Sequence, residues 1–329
     1  MNKILLNGLV AATMAYGVNA NASDAVSIND TNLGAISVSS FDWTPGSALA
    51  VGAVPVAAAP GSTTFNLYTQ ASLGNFIGAN SLPILGTGLN SSYELTFQAG
   101  FTEVGSTTAG GAVANFGLAP TQTVNFFNIY YDTNMNANAL AGTGYGDGDL
   151  VLSAIVTGNS TVFAVINPAP TALDQFGTND YPGYYSITGT GGGSLSADVT
   201  GLNQARNFFN NATLASLIVE LAFNTSNVLP FQQVDPSGSV VDKAIALSLF
   251  TATDCDAAGI GASGQLAGGG CYINGLANPG TTDQSDFLFQ ADANQSFTVR
   301  TTVPEPGSLV LLGGGLLAAG ASRKQRKAI

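Results

Sequence analysis

Hydrophobic and polar residues alternate with a period of two in several stretches of the chain, which is the pattern of half-buried β-strands. In the clearest stretch, from residue 93 to 101, apolar side chains share one face, and Glu94, Thr96 and Gln98 occupy the other. Clusters of Gly or Asn separate such runs at short intervals, as they do in β-sandwiches. Further runs rich in Val, Ile and aromatic residues predict strands over 124–131, 149–156, 161–166, 244–250 and 287–290.

One run fits two periodicities. Alternate apolar residues over 216–223 favour a strand, whereas Leu214, Leu217, Ile218 and Leu221 would share one face of a helix. We favour the strand, preceded by a short helix over 202–210. The Gly-rich segment 189–193 fits either a hinge or a long hairpin loop. The sequence therefore predicts one all-β, sandwich-like antiparallel body with short helix insertions, covering residues 23–302.

The amino-acid composition supports an all-β fold and argues against one class of function, nucleic-acid binding. Charged residues make up only 9% of the chain and hydrophobic residues 45%, a balance opposite to that of disordered proteins. Asp and Glu outnumber Lys and Arg by 20 to 8, and only Arg206, Lys243 and Arg300 are basic between residues 23 and 302. Because this excess of negative charge repels phosphate backbones, we expect no nucleic-acid binding. The acidic body attracts divalent cations or simply keeps the protein soluble.

The N-terminus has the three regions of an export signal. Lys3 gives a basic start, residues 4–18 are mostly apolar, and Ala20-Asn21-Ala22 offers the small-residue pattern that signal peptidase cleaves. The alternative is a buried N-terminal helix, but the chain turns polar at once after Ala22. We therefore predict a signal peptide over residues 1–22, with Ser23 as the first mature residue.

The C-terminus contains a more specific pattern. The tripeptide Pro304-Glu305-Pro306 precedes an apolar run over 309–321, and a basic cluster ends the chain. The basic residues are Arg323, Lys324, Arg326 and Lys327. In this order the three parts, spanning 303–329, resemble the PEP-CTERM sorting signal. The resemblance implies that exosortase, a membrane-embedded cysteine protease, processes an exported protein bound for the cell surface or extracellular matrix of a Gram-negative bacterium.

The physical properties of the tail fit temporary retention in the inner membrane. The apolar run has 13 residues, whereas a helix needs about 20 to span a bilayer. Three consecutive glycines, 313–315, weaken any helix there. The basic cluster after the run stays on the cytoplasmic side during export. We therefore predict retention followed by cleavage, with a permanent weak anchor as the alternative.

Three short segments of the body resemble the flocculation-associated PEP-CTERM proteins. They are residues 40–46, which contain Trp43, residues 129–132, and residues 286–294. The resemblance implies a surface protein that supports cell aggregation, in flocs or biofilm, together with exopolysaccharide. It implies no catalytic residue.

The chain has no His, which excludes Ser–His and Cys–His nucleophile pairs and any His-ligated metal. Cys255 and Cys271 enclose fifteen residues rich in Gly and Ala, too many for a Cys-x-x-Cys redox motif. In an oxidising periplasm we expect a disulfide between them rather than two free thiols. Nothing else in the body marks a catalytic pair, so we expect that the protein is not an enzyme.

One stretch has the residue types of a cation site. Oxygen-bearing side chains recur at Asp132, Asn134 and Asn136, and Asp147 and Asp149 follow after a short interval. Carboxylate and amide oxygens at alternate positions are typical of Ca²⁺ loops, although the turn Gly and the final Glu of an EF-hand are missing. The alternative is a polar turn in which Asn and Asp cap their own backbone.

Aromatic residues suggest a second function. Tyr181, Tyr184 and Tyr185 lie in an apparent surface loop, and flat aromatic faces stack on sugar rings. Trp43 has the same property, but its place in a strand favours a core position. A polysaccharide-binding, lectin-like module is therefore the alternative to a structural matrix protein.

Overall fold

The computed structural model describes residues 25–51, 62–107, 113–138, 143–172, 184–203, 205–210, 216–229, 264–265, 271–272 and 286–301. All regular secondary structure in these residues is β-strand, which confirms the all-β prediction. No segment among them forms a helix of the length and hydrophobicity that a membrane span requires.

Two strands form a separate hairpin, β1 (Val26–Asp30) and β2 (Gly34–Val38). The other described strands belong to one sheet. They are β3 (Ser40–Val51), β4 (Ser62–Ile77), β5 (Glu94–Thr107), β6 (Val113–Leu118), β7 (Asn125–Asp132), β8 (Asp149–Ala172), β9 (Tyr184–Leu202), β10 (Ser216–Leu229), β11 (Gly264–Gln265), β12 (Cys271–Tyr272) and β13 (Asp286–Thr301).

The large sheet closes on itself. Strand β9 pairs with both β8 and β10, and β5 pairs with both β4 and β7. The hydrogen-bonded circuit therefore runs β3, β4, β5, β7, β8, β9, β10, β13 and back to β3, and every pairing in it is antiparallel. One continuous sheet thus encloses the core, in place of the two separate layers of a sandwich.

Aromatic side chains fill the interior. Trp43 is almost completely buried and meets Phe97 edge to face, with 4.8 Å between the ring centroids. Phe97 stacks in turn on Phe127 at 5.2 Å. The indole Nε1 of Trp43 donates to Oε1 of Gln295 at 3.0 Å, so the polar edge of the ring is satisfied inside the core. Trp43 is therefore a core residue, as expected.

Two predicted boundaries are absent because glycines permit close packing. The strands predicted over 149–156 and 161–166 are one strand, β8, with a register shift between Val156 and Gly158. The segment 189–193 lies inside β9, opposite β8, and is neither a hinge nor a loop. A side chain at Gly189 would overlap the ring of Phe163, so glycine lets the two strands pair at that point.

The short helix predicted over 202–210 is absent from the residues described there. Leu202 ends β9, and Asn203 has a left-handed backbone, with φ of 53°. The side chain of Asn203 accepts from the backbone N–H of Phe209 at 2.8 Å and donates to the Phe209 carbonyl at 2.6 Å. These bonds, and a bridge between Phe209 and Ile28, use backbone groups that a helix would need. The run over 216–223 is a strand, part of β10.

The β1–β2 hairpin covers one end of the closed sheet. Ile28 and Val38 are fully buried in the main core cluster, together with Phe208. The backbone N–H of Asn29 donates to the Phe208 carbonyl at 2.7 Å and ties the hairpin to the segment before β10. We call this the capped end: the hairpin with the adjoining segments 78–93 and 205–210.

Candidate functional site

Both ends of the described body lie at the capped end. Val26, at the start of β1, pairs with Val38, and the N–H of the next residue, Ser39, donates to the carbonyl of Ile77 at 2.8 Å. Ser40 then pairs with Ser296 in β13, which runs on for five residues to Thr301. The segments predicted to carry the export signal and the sorting signal therefore join the body at the same end.

Asp30 fixes the hairpin to its neighbours. Its Oδ1 accepts from the N–H groups of Asn32 and Leu33 at 2.9 and 2.8 Å, and its Oδ2 accepts from Gly88 N–H and Tyr93 O–H at 2.8 and 2.7 Å. Burial acts to raise the pKa of Asp30, but these four hydrogen bonds favour the charged form and hold that pKa below its ordinary value. Asp30 is therefore an ionised anchor inside the capped end.

At the capped end, the loop between β4 and β5 is held by backbone hydrogen bonds and exposes two leucines. Leu82 and Leu85 lie in the β4–β5 connection, where Leu82 O accepts from Gly78 N–H at 2.9 Å and Ile84 N–H donates to Phe76 O at 2.8 Å. Ile84 packs against the core, whereas Leu82 and Leu85 face solvent. The alternation of apolar and polar residues does not predict this loop. Its signal in the sequence is the apolar run 82–85 between turn residues.

A second connection covers the outer face of β5. The N–H groups of Asn136 and Ala137 donate to Oε1 of Glu94 at 2.8 and 3.0 Å, and Thr96 Oγ1 donates to the carbonyl of Tyr145 at 2.9 Å. Glu94 points outward from the sheet, as predicted, but this connection buries it. Burial raises the pKa of Glu94 above its ordinary value, and the nearby carboxylates of Asp132 and Asp147 act in the same direction.

The residues predicted to bind calcium divide between several partners. Asp132 Oδ1 accepts from the N–H of Asn134 at 2.7 Å, which is a capped turn. Asn136 Nδ2 donates to Asp147 Oδ2 at 3.0 Å. Asp149, at the start of β8, lies 3.7 Å from the guanidinium of Arg206, measured from Oδ2 to Nη1. The structure thus pairs Asn136 with Asp147, whereas Asp149 pairs with Arg206 of a different segment.

No group of three or more acidic or Cys side chains arranged for a metal ion occurs among the described residues. The contacts place Glu94, which the sequence analysis did not include, beside the Asn136 backbone and within electrostatic reach of Asp132 and Asp147. Calcium binding therefore stays a prediction of the sequence, and the local hydrogen bonds are those of the capped-turn alternative.

The second titratable group of interest lies inside the sheet. Glu103 of β5 is buried, and Nδ2 of Asn159 in β8 donates to its Oε1. The apolar residues around this end of the interior include Phe65 and Phe101. Burial raises the pKa of Glu103 to about 8, against a lowering contribution from Asn159. The carboxyl is therefore largely protonated at neutral pH.

The outer face of β7 has a row of partly exposed side chains, Phe126, Asn128 and Tyr130. Asn128 Nδ2 donates to the hydroxyl of Tyr130 at 3.3 Å. The ring of Phe126 packs on Gly100 in the neighbouring strand, where a side chain would overlap it. The row therefore combines two aromatic rings with an amide on a sheet surface.

Several predicted site residues fall outside the described residues or only partly inside them. The sorting tripeptide Pro304, Glu305 and Pro306 begins three residues after the end of β13, and the basic cluster follows it. Cys271 begins β12, whose backbone pairs in parallel with β9, while Cys255 lies outside the described part. The Cys255–Cys271 disulfide therefore stays a prediction.

Comparison with known proteins gives one match. Residues 302–326 match the PEP-CTERM protein-sorting motif, so the motif begins at the residue after β13 ends. No curated protein and no solved structure matches the chain.

Proposed function

We propose that the mature body is a non-enzymatic matrix protein that supports cell aggregation with exopolysaccharide. The chain carries a PEP-CTERM protein-sorting motif, which makes it an exported substrate of an exosortase. The observation that carries the proposal is the position of the motif. It follows β13 directly, so cleavage within it leaves all the described strands in the released body.

The architecture of the body is compatible with an extracellular structural role. The circuit of eight strands leaves none of those strands as an open edge, and unpaired edges are the usual sites of uncontrolled association between β-proteins. Aggregation of cells then depends on the side chains of the body's surface. The resemblance of residues 40–46, 129–132 and 286–294 to flocculation-associated proteins points in the same direction.

A maturation experiment tests the proposal. We expect intact-mass analysis of the native surface protein to give a chain that begins near Ser23 and lacks Arg323 to Lys327. Replacing Pro304, Glu305 and Pro306 by Ala should leave the uncut precursor in the membrane fraction and abolish settling of the cells. Conservative replacement of the basic pair Arg326 and Lys327 by Lys and Arg is the matched control, because it keeps the charge of the tail. Surface protein that retains the basic cluster contradicts cleavage.

The row on β7 favours a second candidate function, a polysaccharide-binding module. Aromatic faces stack on sugar rings and the amide of Asn128 bonds to hydroxyls, so Phe126, Asn128 and Tyr130 form a suitable set. Saturable binding to the exopolysaccharide that falls in the variant Phe126→Ala, but not in Ile155→Ala on the neighbouring strand, would identify this function. A purely structural protein gives no saturable binding.

A further inference from the structure

We propose that the capped end is the membrane-facing end of the precursor, and that Leu33, Leu82 and Leu85 rest on the lipid surface while the uncut tail holds the chain in the bilayer. The inference rests on the proposed function, because the tail must enter the membrane before an exosortase cuts it. It adds an orientation and a lipid-contact surface to that function.

The first argument is the length of chain between the body and the tail. Strand β13 ends at Thr301, and the apolar run of the tail begins at Leu309, eight residues later. A fully extended chain covers about 3.5 Å per residue, so the capped end lies within roughly 28 Å of the point of insertion. On the N-terminal side, Val26 follows Ala22, the last predicted residue of the export signal, by four positions. Both tethers are short and reach the same end.

The second argument is what that end exposes. Leu33, Leu82 and Leu85 have 47%, 59% and 84% of their surfaces exposed, and they are three of the five large apolar side chains exposed in the described part of the chain. Cδ2 of Leu33, in the β1–β2 turn, lies 3.9 Å from the position that a side-chain carbon on Gly86 would occupy. Leu33 and the loop of Leu82 and Leu85 therefore form one surface.

The loop holds these leucines in place. The bonds from Gly78 N–H to Leu82 O and from Ile84 N–H to Phe76 O fix its backbone, and Asp30 bonds to Gly88. Turning Leu82 or Leu85 inward would therefore break these backbone hydrogen bonds and displace Ile84 from its contact with the core. An apolar surface fixed in this way loses contact with water when it meets the interfacial region of a bilayer.

The contact with lipid at this end depends on the exposed leucines and not on charge. The carboxylate of Asp30 accepts four hydrogen bonds inside the capped end and is not available to a lipid headgroup. Asp132 ends β7 opposite Glu94, and Asp149 begins β8 within 3.7 Å of Arg206, so both carboxylates lie beside the capped end. Their negative charge does not attract an anionic headgroup. The contact is therefore apolar rather than electrostatic, and added salt should not release it.

Depth-dependent fluorescence quenching tests the orientation. Full-length precursor with Leu85→Cys, labelled with bimane, is reconstituted through its tail into vesicles of phosphatidylethanolamine and phosphatidylglycerol. The matched control is Ile155→Cys, because Ile155 is also exposed but lies on β8, six residues beyond Asp149. Brominated lipids should quench the label at position 85 at least about twofold more than the label at 155, as expected for side chains at the acyl boundary. High salt should not reduce the difference, because no charge attraction holds the leucines on the lipid.

Two further measurements separate the possible results. Adding Leu33→Ser and Leu82→Ser to the Leu85→Cys variant should reduce quenching, because the surface then lacks its other apolar members. Flotation of the vesicles reports insertion of the tail independently. Precursor that floats but shows equal quenching at positions 85 and 155 overturns the orientation and leaves the proposed processing intact. Precursor that does not float contradicts membrane retention itself, and with it the premise of the proposed function.

Discussion

Among single residues, Glu103 has the environment least expected from the sequence. It continues the inward-facing series of β5 after Phe101, and its one described side-chain partner is Asn159. Alternation predicts that position 103 faces inward, but it does not predict that a carboxyl occupies it. A protonated carboxyl satisfies the position because it carries no charge and still accepts from the Asn159 amide.

This environment predicts a pH dependence of stability. The pKa of Glu103 in the folded protein, about 8, lies above its value in the unfolded chain. The folded state therefore holds the proton more tightly, and stability falls as pH rises from the unfolded pKa through the folded one, by at most about 1.4 kcal/mol per pH unit. We expect Glu103→Gln to lose this slope and to be more stable than wild type at pH 8.

Urea unfolding at pH 5, 6, 7 and 8 measures this slope. The control is Glu220→Gln, because Glu220 is only half-buried, on β10. Parallel stability profiles for wild type and Glu103→Gln would show that Glu103 is not held neutral in the fold.

The calcium prediction is tested at the same scale. If Asp132, Asn134, Asn136, Asp147 and Asp149 bind one ion, Ca²⁺ at a hundredfold excess over Kd stabilises the folded state by about 2.7 kcal/mol. The melting temperature then rises in Ca²⁺ relative to EDTA, and Asp147→Asn removes the rise. Identical melting in Ca²⁺ and EDTA would mean that the segment is a capped turn.

At the scale of elements, the hairpin and the loop over 78–93 form one unit through Asp30. Among the described residues, the hairpin pairs with no strand of the large sheet, and Ile28 bridges to Phe209, which lies outside the strands. Its attachment therefore depends on buried apolar residues, on backbone hydrogen bonds to the segment 205–210, and on the bonds that Gly88 and Tyr93 donate to Asp30. Loss of these bonds should loosen the hairpin before it affects the strands of the circuit.

A double-mutant cycle measures this attachment. Asp30→Asn removes the charge that four donors share, and we expect it to cost about 2–4 kcal/mol of unfolding free energy, because bonds to buried charged groups are the strong ones. Tyr93→Phe should cost about 1–2 kcal/mol, since it removes one donor. The costs should not add in the double variant. Additive costs would show that the two side chains act independently.

The elements themselves were largely predictable from the sequence. The run over 93–101 became β5 and the run over 124–131 became β7, because alternation records which face of a strand is buried. The joining of 149–166 into β8 was not predictable, since Gly158 and Asn159 are turn residues in isolation and are paired here by β9. The burial of Glu94 also depends on a distant connection, which periodicity does not contain.

At the scale of the whole molecule, the predicted disulfide would add a covalent link beside the closed circuit. Strand β12 joins the sheet through two residue pairs with β9, Cys271 with Tyr184 and Tyr272 with Tyr185. Non-reducing peptide mapping should find Cys271 linked to Cys255. We expect Cys271→Ser to lower the free energy of unfolding by about 2–4 kcal/mol, as for a loop of this length. Two thiols that alkylate without reduction in freshly exported protein would contradict the link.

The position of β13 determines how the body carries mechanical load. Thr301 ends this strand next to the sorting motif, and β13 lies between β10 and β3, with twelve residue pairs on one side and ten on the other. A pull applied to the C-terminus runs along the strand, perpendicular to these antiparallel hydrogen bonds. Such a pull shears many bonds at once instead of opening them one after another. A body attached through the C-terminus that cleavage leaves beyond Thr301 would therefore resist fluid drag with its hydrogen bonds to β10 and β3 together.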